Sequence, residues 1–305
     1  MKSKALIGGI IALIVIVLAI VFCVWAGSKI NQKLSELNPS EPQNSESNVP
    51  QPDEPQQVSK GNLPFGNPSN ATSNTSNSNN YLLENQFYAL SYNREKGIAN
   101  WVAWSLSKSD FGSANRQNDF RPDDRLPESW TRILPSDYSG SGFDRGHICP
   151  SADRSRSVEA NSSTFLMSNM SPQTAELNQG PWEKLETYSR SMARRDGTLY
   201  IIAGQYGASK KVKNKITVPT NFWKIIVVLP PGADFSAINK DTRVIVVDMP
   251  NIKGIKDKNW RDYRTTVRQI EQKTGYNFLS NLPQNVQNSL ETKVDDRKSF
   301  MQTDN

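Results

Sequence analysis

The chain has 305 residues, 36% of them hydrophobic and 22% charged, with a formal net charge of +6. Only two cysteines occur, Cys23 and Cys149, far apart and in unlike surroundings. That excludes a disulfide framework and a thiolate zinc site, so any metal here is a hard cation held by oxygen.

Residues 5–26, ALIGGIIALIVIVLAIVFCVWA, carry no charge. As a helix at about 1.5 Å per residue they reach roughly 33 Å, enough to cross a hydrocarbon core of about 30 Å. The run is longer than the apolar core of a secretory signal, typically about 7–15 residues, which favours an uncleaved anchor within residues 1–30. Val24 and Ala26 nonetheless offer a cleavage-like pattern, interrupted by Trp25. Lys2 and Lys4 on one side face Lys29 and Lys33 on the other, so charge does not orient the span. Either reading predicts export, with the bulk of the chain outside the cytoplasm, membrane-anchored or secreted. Residues 31–80 are rich in Asn, Ser, Pro and Gln, and are expected to form a disordered polar linker.

Residues 81–305 have the size of one substantial domain and hold the positive excess. Such a domain attracts polyanions, with nucleic acid, anionic lipid and acidic polysaccharide all open. Segments 86–92, 99–106, 199–203, 222–229 and 243–248 are short and rich in Val, Ile, Tyr and Trp, and read as strands. A further strand is expected over Thr164–Ser168. Helical spacing joins Trp182, Leu185, Tyr188 and Met192, and again Trp260, Tyr263, Val267 and Ile270, with Gly275 as a stop. Residues 284–292 read as a short helix, and the polar chain after Val294 is expected to fray. The mixture predicts an α+β fold, a central and mostly antiparallel sheet flanked by helices.

The single histidine, His147, sits in Asp144-Arg145-Gly146-His147, with Pro150 three residues on. Imidazole is the side chain whose ordinary pKa lies nearest neutrality, so His147 is the candidate general base. Asn169 follows the expected strand and leads into Met-Ser-Pro-Gln; then come Asn178-Gln179, Trp182, Leu185 and Glu186. Upstream lie Arg116 and Arg121, and Arg190 is one helical turn beyond Glu186. Taken alone, Arg121, Arg194 and Arg195 read as solvated surface groups, Trp182 and Leu185 as core, and Cys149 as packing.

This set of motifs, spread over nearly all of residues 82–292, resembles the DNA/RNA non-specific endonuclease family. The resemblance implies a ββα-metal active-site module and cleavage of DNA and RNA to 5′-phosphates and 3′-hydroxyls. It implies His147 as general base, Asn178 as metal ligand, and Arg116 as the arginine that stabilises the transition state. Glu186 would accept hydrogen bonds from the metal's waters, and Asn169 would orient the base or those waters. Asp144 and Arg145 would brace the loop around His147, with Arg145 and Arg190 also meeting phosphate. Mg²⁺, or Mn²⁺ in its place, suits so sparse a site because it keeps most of its own waters. The residues are consistent with low base preference: no recognition helix or zinc finger is found, and backbone phosphate contacts read no sequence. The competing expectation is a surface-tethered protein that captures DNA for uptake and cuts it weakly. Nothing in the residues sets an oligomeric state.

Overall fold

The computed structural model describes residues 61–195 and 197–297. The apolar segment 5–26 and linker residues 31–60 lie outside them. Among the described residues, no helix is long and apolar enough to cross a membrane.

Six strands form one antiparallel sheet: β1 (Tyr81–Glu84), β2 (Ala89–Asn93), β3 (Ile98–Leu106), β6 (Thr198–Tyr206), β9 (Asn221–Leu229) and β10 (Arg243–Pro250), neighbours in that order. β3 and β9 are buried on nearly every residue, because both faces of the sheet are covered. Side chains alternate between faces along each strand. Val102, Trp104, Phe222 and Ile226 point into one core with Leu177, Trp182 and Leu185. Trp101, Trp223, Ile225 and Val227 point into a second core with Val267, Ile270 and Phe278. The second core is covered by helices α4 (Val267–Thr274) and α5 (Gln284–Thr292).

The chain between the neighbours β3 and β6 makes a long excursion that packs back on the first core. It holds the two-stranded ribbon β4 (Asp144–His147) and β5 (Met170–Gln173), joined through helix α1 (Val158–Ser163). After β5 comes a helical segment, α2 (Ala175–Leu177), a π-type turn over Asn178–Trp182, and α3 (Glu183–Arg194). Strand, strand, helix is the expected order of the module. A hairpin, β7 (Lys210–Val212) and β8 (Ile216–Val218), leaves between β6 and β9 and packs Val212 and Ile216 against Met167 and Met170.

Four expectations are corrected. Thr164–Ser168 is not a strand: Met167–Asn169 is a 3₁₀ turn, and the strand begins at Met170. The helix expected across Trp260–Ile270 is a 3₁₀ turn, Trp260–Tyr263, then α4 from Val267. Thr266 caps that new start by accepting from the Gln269 N–H. The linker ends before residue 80: Ala71 is buried, Phe65 packs edge-on to Tyr200, and Thr72 bridges to Tyr81. Nor does the chain fray directly after Val294, because buried Asp295 pairs with Arg243 at 2.8 Å. Gly275 does end α4, at φ +73°, a left-handed conformation that glycine adopts freely.

Candidate active site

β4 lies antiparallel to β5, with His147 opposite Met170 and Asp144 opposite Gln173. Gly146 is required by closeness: a Cβ there would meet the Gln173 side chain at 2.0 Å. Behind the ribbon, Asn169 is fully buried. Its Oδ1 accepts from the Cys149 N–H at 2.9 Å, and its Nδ2 donates to the carbonyls of Cys149 and Thr164 at 2.9 and 2.8 Å. Asn169 therefore fixes the backbone two residues beyond His147, and does not line the cleft where a metal's waters would lie.

Arg116, Arg145, His147, Asn178, Glu186 and Arg190 line one cleft of about 410 Å³. The His147 ring stands edge-on to Phe165, with centroids 4.9 Å apart, and tilted against Phe120 at 5.7 Å. Its Nε2 is buried and has no hydrogen-bond partner among the described residues. Burial first, then the charges of Arg116 and Arg145, push its pKa from 6.5 down to about 3. The imidazole is therefore neutral at physiological pH, as a base must be.

Asn178 Nδ2 donates to Asp144 Oδ2 at 2.9 Å, and Gln179 Nε2 donates to the same oxygen at 3.0 Å. A carboxylate can only accept, so this contact fixes which end of the Asn178 amide faces Asp144. The carbonyl oxygen Oδ1 is left without a partner among the described residues. The π-type turn sets this geometry, since Pro181 supplies no N–H to the helix. Thr174 caps the segment by accepting from the Leu177 N–H at 3.2 Å, so Asn178 lies one turn into helical backbone.

Glu186 keeps 12% of its side chain exposed, at the cleft, while its Oε2 lies 3.8 Å from Arg190 and its Oε1 3.6 Å from Lys224 Nζ. Burial pushes its carboxyl up to about 7 against the pull of Lys224 and Arg190. Lys224 was not foreseen. It is 1% exposed on β9, with Nζ 4.1 Å from the Trp182 ring centroid, and burial holds its pKa below the usual lysine value. Its signal in the sequence is a cation that breaks the apolar alternation Phe222, Lys224, Ile226.

The remaining cations are held in place. Arg116 donates to Ser151 Oγ at 2.5 Å and to Asn118 Oδ1 at 2.8 Å. Arg190 reaches buried Asp153 at 3.3 Å, and Asp153 also accepts from the Trp104 indole N–H at 3.1 Å. Arg145 is exposed, its guanidinium carbon 4.1 Å from the Phe120 centroid. Outside the cleft, Arg121 pairs with Asp119 and Arg194 lies over Phe111. Cys149 is a free, buried core residue.

No group of three or more His, Cys, Asp or Glu residues able to hold a metal occurs among the described residues. Among the oxygen donors that line the cleft, those it offers a cation are Asn178 Oδ1 and the carboxylates of Glu183 and Glu186. That donor set fits a hard, largely hydrated ion such as Mg²⁺, and no softer metal.

The family model for DNA/RNA non-specific endonucleases matches residues 66–285. The chain belongs to that family. It is 51% identical over 235 residues to a nuclease of Nostoc sp. (strain PCC 7120), covering 76% of this chain and 85% of the relative. It is 31% identical over 216 residues to human mitochondrial endonuclease G, covering 66% and 70%. The fold is similar to a chain in the crystal structure of the EndoG/EndoGI complex, with a TM-score of 0.61 at 23% identity over 72% of this chain and 91% of that one. As a non-specific endonuclease, the protein is a metal-dependent hydrolase of nucleic acid.

Proposed function

We propose that this endonuclease cuts both DNA and RNA with little base preference, using His147 as general base beside a single hydrated Mg²⁺ or Mn²⁺ ion. The observation that carries the reading is the convergence of a neutral imidazole, an amide oxygen and a carboxylate in one cleft. Because Nε2 is buried, Nδ1 is the nitrogen that takes a proton from the attacking water. Arg116, with Arg145 and Arg190, faces the charge that builds on the phosphorane, and guanidinium groups remain charged throughout. Asp144 fixes the carboxamide of Asn178, which would hold the ion, and Glu186 would fix the ion's waters. When bound, the ion would supply charge stabilisation at a phosphate oxygen and at the departing 3′-oxygen. The apolar segment 5–26 supports a further reading, delivery of this domain outside the cytoplasm, either tethered or released. Cell fractionation of the chain with and without residues 1–30 tests that.

The decisive measurement is cleavage of plasmid DNA and of RNA by the purified protein over a metal series, beside His147→Ala and Asn178→Ala. Scission that EDTA abolishes, falling about 10²–10⁴-fold in His147→Ala, is expected. Folded variants that cut like the parent would sink the assignment, and strand binding without scission would favour the capture protein.

A further inference from the structure

A second hollow of about 430 Å³ adjoins the catalytic cleft and shares Arg116, Arg145, Asn178 and Gln179 with it. Its other walls add Phe120, Pro135, Tyr138 and Phe143, apolar or aromatic, beside the polar Asn118, Ser139 and Asp144. Phe120 and Phe143 are half-buried rings, each with a cation near it, Arg145 at 4.1 Å and Lys210 at 4.9 Å. The β7–β8 hairpin, Lys210-Lys211-Val212-Lys213-Asn214-Lys215, borders this hollow. Lys213 Nζ donates to the Ser136 carbonyl at 2.6 Å, beside Pro135 in the wall. The turn places Lys213 and Asn214 at φ +47° and +57°, where glycine would be the relaxed choice for at least one of them. The nearby carboxylates are already engaged: Asp137 pairs with Lys215 at 3.1 Å, and Asp144 holds the two amides at 178 and 179.

We propose that this hollow is a subsite for nucleotides flanking the scissile phosphate. In it, the base stacks against Phe143 and the Arg145 plane, and the exposed Lys210 takes the next phosphate, while Lys211 points the other way, to the Glu95 carbonyl. The proposal rests on the catalytic reading of the adjoining cleft. A volume of this size lies within the range of about 300–1,000 Å³ typical of small-ligand sites, so a nucleotide fits. Stacking on an aromatic face is indifferent to base identity, and lysines read phosphate alone, so the subsite adds affinity without adding sequence preference. It commits the hollow to an unpaired strand, because a base within a duplex keeps its faces stacked on its neighbours.

The test is equilibrium binding, by fluorescence anisotropy, of a 12-nucleotide single-stranded DNA to the full chain carrying His147→Ala, which holds substrate without cutting it. Lys210→Gln is added in one protein and Phe143→Leu in another. Lys210→Gln is expected to weaken binding about threefold at low salt. It should also flatten the slope of log affinity against log salt by about 0.7, the value for one phosphate of a single strand. Phe143→Leu is expected to weaken binding about 5- to 20-fold with the slope unchanged, since stacking is worth about 1–3 kcal/mol per base. Lys240→Gln removes the same charge from the edge near α5 and is expected to leave affinity and slope at the parental values. Parental affinity and slope in the Lys210 variant overturn the proposal, as does an equal loss in the Lys240 control. Should Phe143→Leu unfold, the exposed Lys210 still decides. Binding is read apart from cleavage, so failure of the subsite and failure of the catalytic reading give different results.

Discussion

Glu186 and His147 titrate in opposite senses from their ordinary values, and that separates their effects on rate. With the pKa of His147 pushed down to about 3, the proposed base is neutral at any pH a cell meets, so a loss of rate between pH 8 and pH 5 is not expected to come from it. Glu186, pushed up to about 7, is the group that changes charge in that interval. We expect kcat/KM to rise through about pH 7 to a plateau, Glu186→Gln to abolish that limb at a low rate, and His147→Ala to lower the whole curve without moving it. A limb that survives in Glu186→Gln would assign it to another group. Stability has its own sign. A base whose folded pKa is depressed lets the unfolded chain bind the extra proton, so this contribution is lost as pH falls from 6.5 towards 3. Urea unfolding at pH 6 and pH 4 should therefore show a smaller drop for His147→Gln than for the parent. Lys224 and Glu186 form a buried pair, in which removing one partner strands the other. Lys224→Met is expected to cost about 3–5 kcal/mol, and the double variant with Glu186→Gln to cost less than the two singles together.

The π-type turn from Asn178 to Trp182 is where helix geometry and chemistry meet. Gly180 there packs against the backbone of Lys256, and a Cβ would fall 2.7 Å from that carbonyl oxygen. Gly180→Ala is expected to destabilise by about 1–3 kcal/mol, and to raise the Mg²⁺ concentration needed for half-maximal cutting because Asn178 shifts with the turn. Thermal melts beside a metal titration check both. The strands of the sheet were readable because β3, β6, β9 and β10 are apolar runs bounded by breakers, and α3 because Leu185 and Met192 recur on one face. The ribbon was harder to read. β5 contains Pro172, which argues against a strand, whereas the apolar Phe165-Leu166-Met167 that resembled one is packed as turns. That Asn178 and Glu186 share one cleft with His147 was legible from motif spacing. The engagement of the Asn178 amide by Asp144 was not, since it arises only when β4 meets the turn. Lys224 was visible as a misplaced charge, but its partner comes from another layer of the fold.

At the N-terminal border, residues 61–72 belong to the folded unit, with Phe65 against Tyr200 and Phe235. A chain starting at residue 81 is expected to melt about 6–12 °C below one starting at 61, from a loss of about 3 kcal/mol at roughly 2–4 °C per kcal/mol. Equal melting temperatures would return the border to residue 80. The excursion between β3 and β6 has a consequence for timing. Asp144, His147, Asn178 and Glu186 are all translated before β9, yet the ammonium against Glu186 is delivered by β9. A chain that stops before β9 therefore holds the proposed catalytic residues without the ammonium that seats Glu186. Scission is therefore expected to appear only once β9 has paired, and a fragment ending at residue 220 should cut nucleic acid no faster than background.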